Sequence, residues 1–215
     1  MLQALTGGGS SQADEAYVRE LFDAFADTFD AKLTQVLDYR VPERVSELLG
    51  AAPLGTVLDL GCGTGLLAPL LRGRVERLVG VDLSPAMLDK ARARGGYDAL
   101  YAEGLDAYLD RVAKEGEGFD VVVAADVFVY VGALDGVFAA VRRCCRGRFV
   151  FTTEVSDEPL ELRTSGRYAH SPAAVAALAD AHGWTCVHHS LETLRTEGGR
   201  PVEGQCVILE PREAT

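Results

Sequence analysis

Between Val57 and Leu71 the chain reads VLDLGCGTGLLAPLL. Three glycines, Gly61, Gly63 and Gly65, fall within five positions, between two apolar segments. Glycine loses more backbone freedom on folding than any other residue. Such a run persists between core segments only where the main chain must be bare. The left flank, Thr56 to Leu60, reads as a strand, and the right flank, Leu66 to Leu71, as a helix. A bare loop from strand to helix presents free N–H groups at a helix start, beside the carboxyl end of a strand. That is where open α/β sheets receive ligands.

The rest of the chain continues this alternation. Strands are expected over Arg77 to Val81, Tyr97 to Tyr101, Val121 to Ala124 and Arg148 to Thr153. Helices are expected from Ser84-Pro85 to Arg94, Leu105 to Glu115, Leu134 to Cys145 and Ser171-Pro172 to Ala181. In two of them serine sits at the N-cap and proline in the first turn. Val121 to Ala124 is a continuous apolar run, as in a strand buried on both faces. Thr185 to Arg195 and Gln205 to Glu210 read as a closing hairpin turned at Gly198-Gly199. Before all this, Asp14 to Leu49 carries apolar residues at helical spacing: Phe22, Phe25, Phe29, Leu33, Val36 and Leu37. Pro42 opens a separate helix to Leu49. The expectation is an α/β fold whose mostly parallel sheet has helices on both faces and ends in an antiparallel hairpin. One domain is expected over residues 15–215, with a helical cap over 15–50 and a flexible lead-in over 1–14.

The formal net charge of −11 disfavours a broad phosphate-backbone interface, which rests on clustered Lys and Arg. Arg142, Arg143, Arg146 and Arg148 read as a solvated helix end. The start of the chain lacks the basic and apolar regions of an export signal, and no apolar run is long enough to span a membrane. The five cysteines are expected as reduced thiols of a cytoplasmic protein. No metal is expected: Cys186, His188, His189 and His182 lack the paired spacing of a zinc site.

The glycine spacing is G-x-G-x-G, unlike the G-x-G-x-x-G of a dinucleotide oxidoreductase, and no P-loop lysine follows. Asp82, about twenty residues beyond Gly61 at the end of the next strand, suits the two hydroxyls of a ribose. Together "VLDLGCGTG" and "LVGVDLSPAMLDKAR" resemble motifs I and II of class I S-adenosylmethionine (SAM)-dependent methyltransferases. The resemblance implies a Rossmann-like seven-stranded sheet, SAM as cofactor and S-adenosylhomocysteine (SAH) as product. It implies that Asp59 and the loop Gly61, Cys62, Gly63 and Gly65 hold the methionine part and Asp82 the ribose, with Leu83 and Met87 against the adenine. "AYVRELFDAFADTFDAKLTQVLDYRVPERV", "VAADVFVYVGAL" and "LRTSGRYAHSPAAVAALA" resemble, more closely, the methyltransferase domain that follows tetratricopeptide repeats in bacterial methyltransferases. That family carries an acid at the position of Gly104. Here Glu103 is the neighbouring acid, so the adenine amino contact moves to Glu103 or to main chain.

For the chemistry, Asp126 at the tip of the fourth strand is expected to meet cofactor or acceptor. His170 is the candidate general base, with Tyr168 beside it, and Arg40 the candidate partner of the methionine carboxylate. The expected activity is methyl transfer to an oxygen or nitrogen of a small-molecule acceptor, by a monomer or homodimer. The alternatives are a protein methyltransferase and a SAM-binding assembly or regulatory module without turnover.

Overall fold

In the computed structural model, residues 15–30 and 39–212 are described. The lead-in, Leu33, Val36 and Leu37 lie outside them. The alternation seen in the sequence builds β1 (Gly55–Leu60), β2 (Val75–Asp82), β3 (Ala99–Ala102), β4 (Phe119–Ala124) and β5 (Cys145–Val155). They stand in the order β3-β2-β1-β4-β5, all parallel. The cap contributes α1 (Glu15–Phe25) and α2 (Val41–Leu48). Between the strands lie a single turn α3 (Ala68–Leu71), α4 (Pro85–Arg94), α5 (Leu105–Glu115) and α6 (Asp135–Cys144).

The apolar runs are buried on both faces of the sheet, as parallel strands require. Leu58, Val79, Val122 and Phe149 pack in one layer with Leu109, Val112 and Phe138. Val57, Leu78, Val121 and Val150 pack on the opposite face with Val41, Val45, Leu67 and Leu71. Ser84 caps α4 as its sequence predicts, its hydroxyl accepting from Met87 N at 3.1 Å. Of the arginines read as a solvated helix end, Arg143 pairs with Asp110, while Arg148 lies in β5 and donates to Leu49 O.

Two strands go beyond the expected seven. Tyr168–His170 forms β7, antiparallel to β6 (Leu160–Leu162) and parallel to the end of β5. The chain then runs through α7 (Pro172–Ala181) into the hairpin β8 (Trp184–Glu197) and β9 (Arg200–Pro211). β9 is antiparallel to β5. Glu154 of β5 faces Gly204 of β9 on one side and Ala169 of β7 on the other. β7 therefore lies on the side of β5 that β4 occupies earlier, directly beyond the carboxyl end of β4. No described helix is long and apolar enough to cross a membrane.

Candidate functional site

A cavity of about 470 Å³ opens at the carboxyl ends of β1, β2 and β4 and is covered by α1. Its size is that of a small-molecule site. One wall is the glycine loop. At Gly61 a Cβ would lie 2.5 Å from Val127 Cγ2, so a side chain is excluded by packing. At Gly63 a Cβ would meet nothing nearer than Phe29 Cε1 at 3.9 Å; the bare position faces the cavity. Gly65 lies against Tyr97 and Ala91 instead. Cys62 lines the cavity, its thiol pushed well above the usual range by burial.

Two carboxylates flank this loop. Asp82 accepts from Gly63 N and from Ser84 N, both at 2.9 Å. A carboxylate has about four lone-pair sites, so acceptor capacity remains toward the cavity. Asp59 is buried and accepts a hydrogen bond from Tyr97 Oη at 2.6 Å. Burial raises its pKa to about 7, against the lowering effect of that bond. A buried acid with no cation against it suits an ammonium group. Leu83, Val18, Leu21, Phe22 and Leu105 give the cavity apolar surface. Bare main chain, two acids and an apolar slot fit a SAM molecule, with its ammonium, ribose hydroxyls and flat base. An Asp82→Ala variant is expected to weaken SAM binding more than about tenfold, because a charge-assisted bond to a ribose hydroxyl is lost. Titration calorimetry reads this directly.

At the far end Asp126, expected from its place at the tip of the fourth strand, is joined by Arg195, which strand patterning did not single out. Asp126 follows β4 with φ 58°, the one described non-glycine residue of positive φ. Its carboxylate accepts from Arg195 Nη1 at 3.0 Å. Arg195, only 2% exposed, also pairs with Glu154. A bulge between Thr193 and Arg195 breaks the alternation of β8, so that Leu194 and Arg195 are both buried. Bulges of this kind re-aim side chains near active sites. Arg195 stands among the lining residues, and its Nε is fully buried with no hydrogen-bond partner among the described residues. Arg167 lines the same end, paired with Glu197 at 2.7 Å. Tyr39 and Tyr130 complete it.

Five expected site residues stand elsewhere. His170 is 3% exposed and donates from Nε2 to Gly132 O at 2.8 Å. Burial lowers its pKa, and pairing of β7 with β5 holds it outside the cavity lining. Tyr168 is buried in the same strand, its hydroxyl unpartnered. Arg40 borders a separate depression with Glu43, Glu47 and Glu192; its neighbour Tyr39 is the one that reaches the cavity. Met87 is fully buried beneath α4. Glu103 turns outward to Arg111 at 3.0 Å. Of the histidines weighed as metal ligands, His182 meets Asp135, His188 meets Ser190 and His189 meets Gln205.

Residues 57–147 match the methyltransferase domain family. The matched stretch holds the glycine loop, Asp59, Asp82 and the tips of β1, β2 and β4 that build the cavity. Among the chain's relatives is the malonyl-acyl-carrier-protein O-methyltransferase of Methylovorus sp. (strain MP688), 30% identical over 182 residues, covering 79% of this chain and 60% of that protein. The ubiquinone biosynthesis O-methyltransferase of Hahella chejuensis is 31% identical over 111 residues, 51% of this chain and 47% of that protein. The chain thus spans well under two thirds of these relatives. The crystal structure of magnesium protoporphyrin IX methyltransferase from Synechocystis PCC 6803 with bound SAH superposes with a TM-score of 0.68 over 92% of this chain and 99% of that one. At 18% identity the likeness establishes the fold.

Proposed function

We propose that this protein methylates a carboxylate oxygen of a small acid, using SAM. The observation that carries the proposal is the far end of the cavity, where two guanidinium groups, those of Arg167 and Arg195, stand among the lining residues and suit an anionic acceptor. A neutral hydroxyl or amine needs a proton acceptor in the transition state. A carboxylate is already ionised near neutral pH and needs none. Bound in the cavity, SAM supplies a methyl carbon made electrophilic by the adjacent sulfonium. Asp59 and the bare loop would hold its methionine part, and Asp82 its ribose.

The residues of this chain act by positioning. Arg167 would grip the acceptor carboxylate, a match of planar donor to planar acceptor, with the buried Arg195 guanidinium adding positive charge behind it. Asp126, Glu154 and Glu197 hold the two guanidinium groups in place. α1 covers the cavity and keeps water out, with Phe22 edge-on to Tyr130 at 5.3 Å. Orientation of this kind accounts for much of the rate of a simple displacement. The covered cavity favours a small acid, free or on a slender carrier arm, over a protein side chain at an open groove, and over a module without turnover. The relatives' names, both O-methyltransferases, support transfer to oxygen. The kinship with repeat-linked bacterial methyltransferases rests on the quoted motifs alone.

The test is a labelled-methyl assay with free dicarboxylic acids, carrier-bound acyl acids, phenols and amines. A methyl ester releases labelled methanol in mild alkali. Label that resists alkali, as in an ether or N-methyl product, overturns the proposal.

A further inference from the structure

Gly104 precedes α5 and has an extended backbone, φ −67°, ψ 152°, which any residue adopts. The bare position is covered by the end of the Glu15 side chain. A Cβ on Gly104 would lie 2.5 Å from Glu15 Oε1 and 3.1 Å from both Cδ and Oε2. The first residue of α1 thus lays its carboxylate over bare main chain at the tip of β3, where it lines the cavity beside Leu83 and Leu105. The sheet order β4-β1-β2-β3 sets the succession along the cavity: glycine loop, Asp82, then Glu15.

We infer that Glu15 is the adenine-recognising acid of this protein, accepting a hydrogen bond from the exocyclic amino group of the base. The inference rests on the reading that the adenosyl group of SAM lies in this cavity with its ribose at Asp82. From there the flat base extends into the apolar slot toward β3. Its amino group is a donor, and Glu15 is a carboxylate at that end. Glu103 is turned away to Arg111. The acid comes from the cap rather than from the strand tip, so recognition of the base requires α1 to be docked. α1 is held there by Arg19 Nε donating to Leu83 O at 3.2 Å and by Asp23 accepting from Ser84 Oγ and Ala86 N.

Calorimetry at pH 8 with SAH and with S-inosylhomocysteine, whose base carries a carbonyl in place of the amino group, tests this. The wild type is expected to prefer SAH by about tenfold or more, the worth of one charge-assisted bond. Glu15→Ala is expected to lose that preference by binding SAH about tenfold more weakly while binding the inosyl compound no worse. Glu15 is exposed, so its removal leaves folding intact, which melting curves check. In the Glu15→Ala background the space over Gly104 is vacated, and Gly104→Glu is expected to restore the preference. Full discrimination in Glu15→Ala overturns the inference. A wild type that binds neither compound overturns instead the adenosyl reading beneath it.

Discussion

An Arg195→Met variant is expected to melt roughly 10 °C below the wild type and to lose at least about a hundredfold in kcat/KM for the acceptor, while still binding SAM normally when folded. The stability loss follows from what remains. Asp126 loses the partner that fixes it, and Glu154, 2% exposed, keeps Arg163 at 2.9 Å and Arg167 at 3.9 Å but loses its buried partner. Breaking a buried pair from one side costs about 3–5 kcal/mol, and each kcal/mol lowers Tm by about 2–4 °C in a chain of this size. The catalytic loss follows from the lost positive charge and from the released Asp126 and Glu197, which Arg195 pairs with at the acceptor end. Thermal melts, SAM calorimetry and steady-state kinetics separate the effects. Unchanged acceptor kinetics in a folded Arg195→Met protein would remove this residue from acceptor binding.

The second large effect is pH dependence of cofactor binding. Burial places Asp59 near pH 7, so the ligand-free protein holds it protonated below that point. An ammonium requires the carboxylate, so binding below pH 7 must release a proton. The dissociation constant for SAM is therefore expected to rise about tenfold per pH unit below 7, roughly a hundredfold between pH 7 and 5. Asp59→Asn should flatten this dependence and bind weakly throughout. Stability moves the other way. The folded pKa lies above the unfolded one, so the ligand-free fold binds more protons than the unfolded chain between about pH 4 and 7. Stability contributed by Asp59 is full below about pH 4 and is lost as pH rises through 7, on the order of 4 kcal/mol in all. Denaturant titrations of wild type and Asp59→Asn across this range check the sign. A SAM affinity independent of pH would rule out the ammonium–Asp59 contact.

The glycine-loop end of the cavity was legible in the chain because its signals are local. Gly61 and Gly63 are read from one loop, and Asp82 from one strand end. The Ser84 and Ser171 caps also behave as short-range chemistry requires; Ser171 Oγ accepts from Ala174 N at 3.1 Å. His170 shows the limit. It stands beside that cap, yet its surroundings are set by pairing of Tyr168–His170 with β5 and β6, partners found only in three dimensions. Arg195 was hidden by the bulge in β8, which moves an alternating strand out of phase. A charged residue in a strand ordinarily reads as solvent-facing, and nothing local marks the shift. Glu15 and Gly104 lie far apart in the chain, so the absent side chain at one gave no hint of the other.

The fork at Glu154, where β5 is flanked by β7 on one side and β9 on the other, separates two inheritances. Toward β1 and β2 the cavity is built from the glycine loop, Asp59 and Asp82, the part to which the proposed function gives the cofactor. Beyond the fork, Arg167 stands in the short hairpin between β6 and β7, and Arg195 and Glu197 stand on the bulged strand β8. Under the proposed function, substitutions in the second stretch redraw the acceptor end while the cofactor end stays as it was.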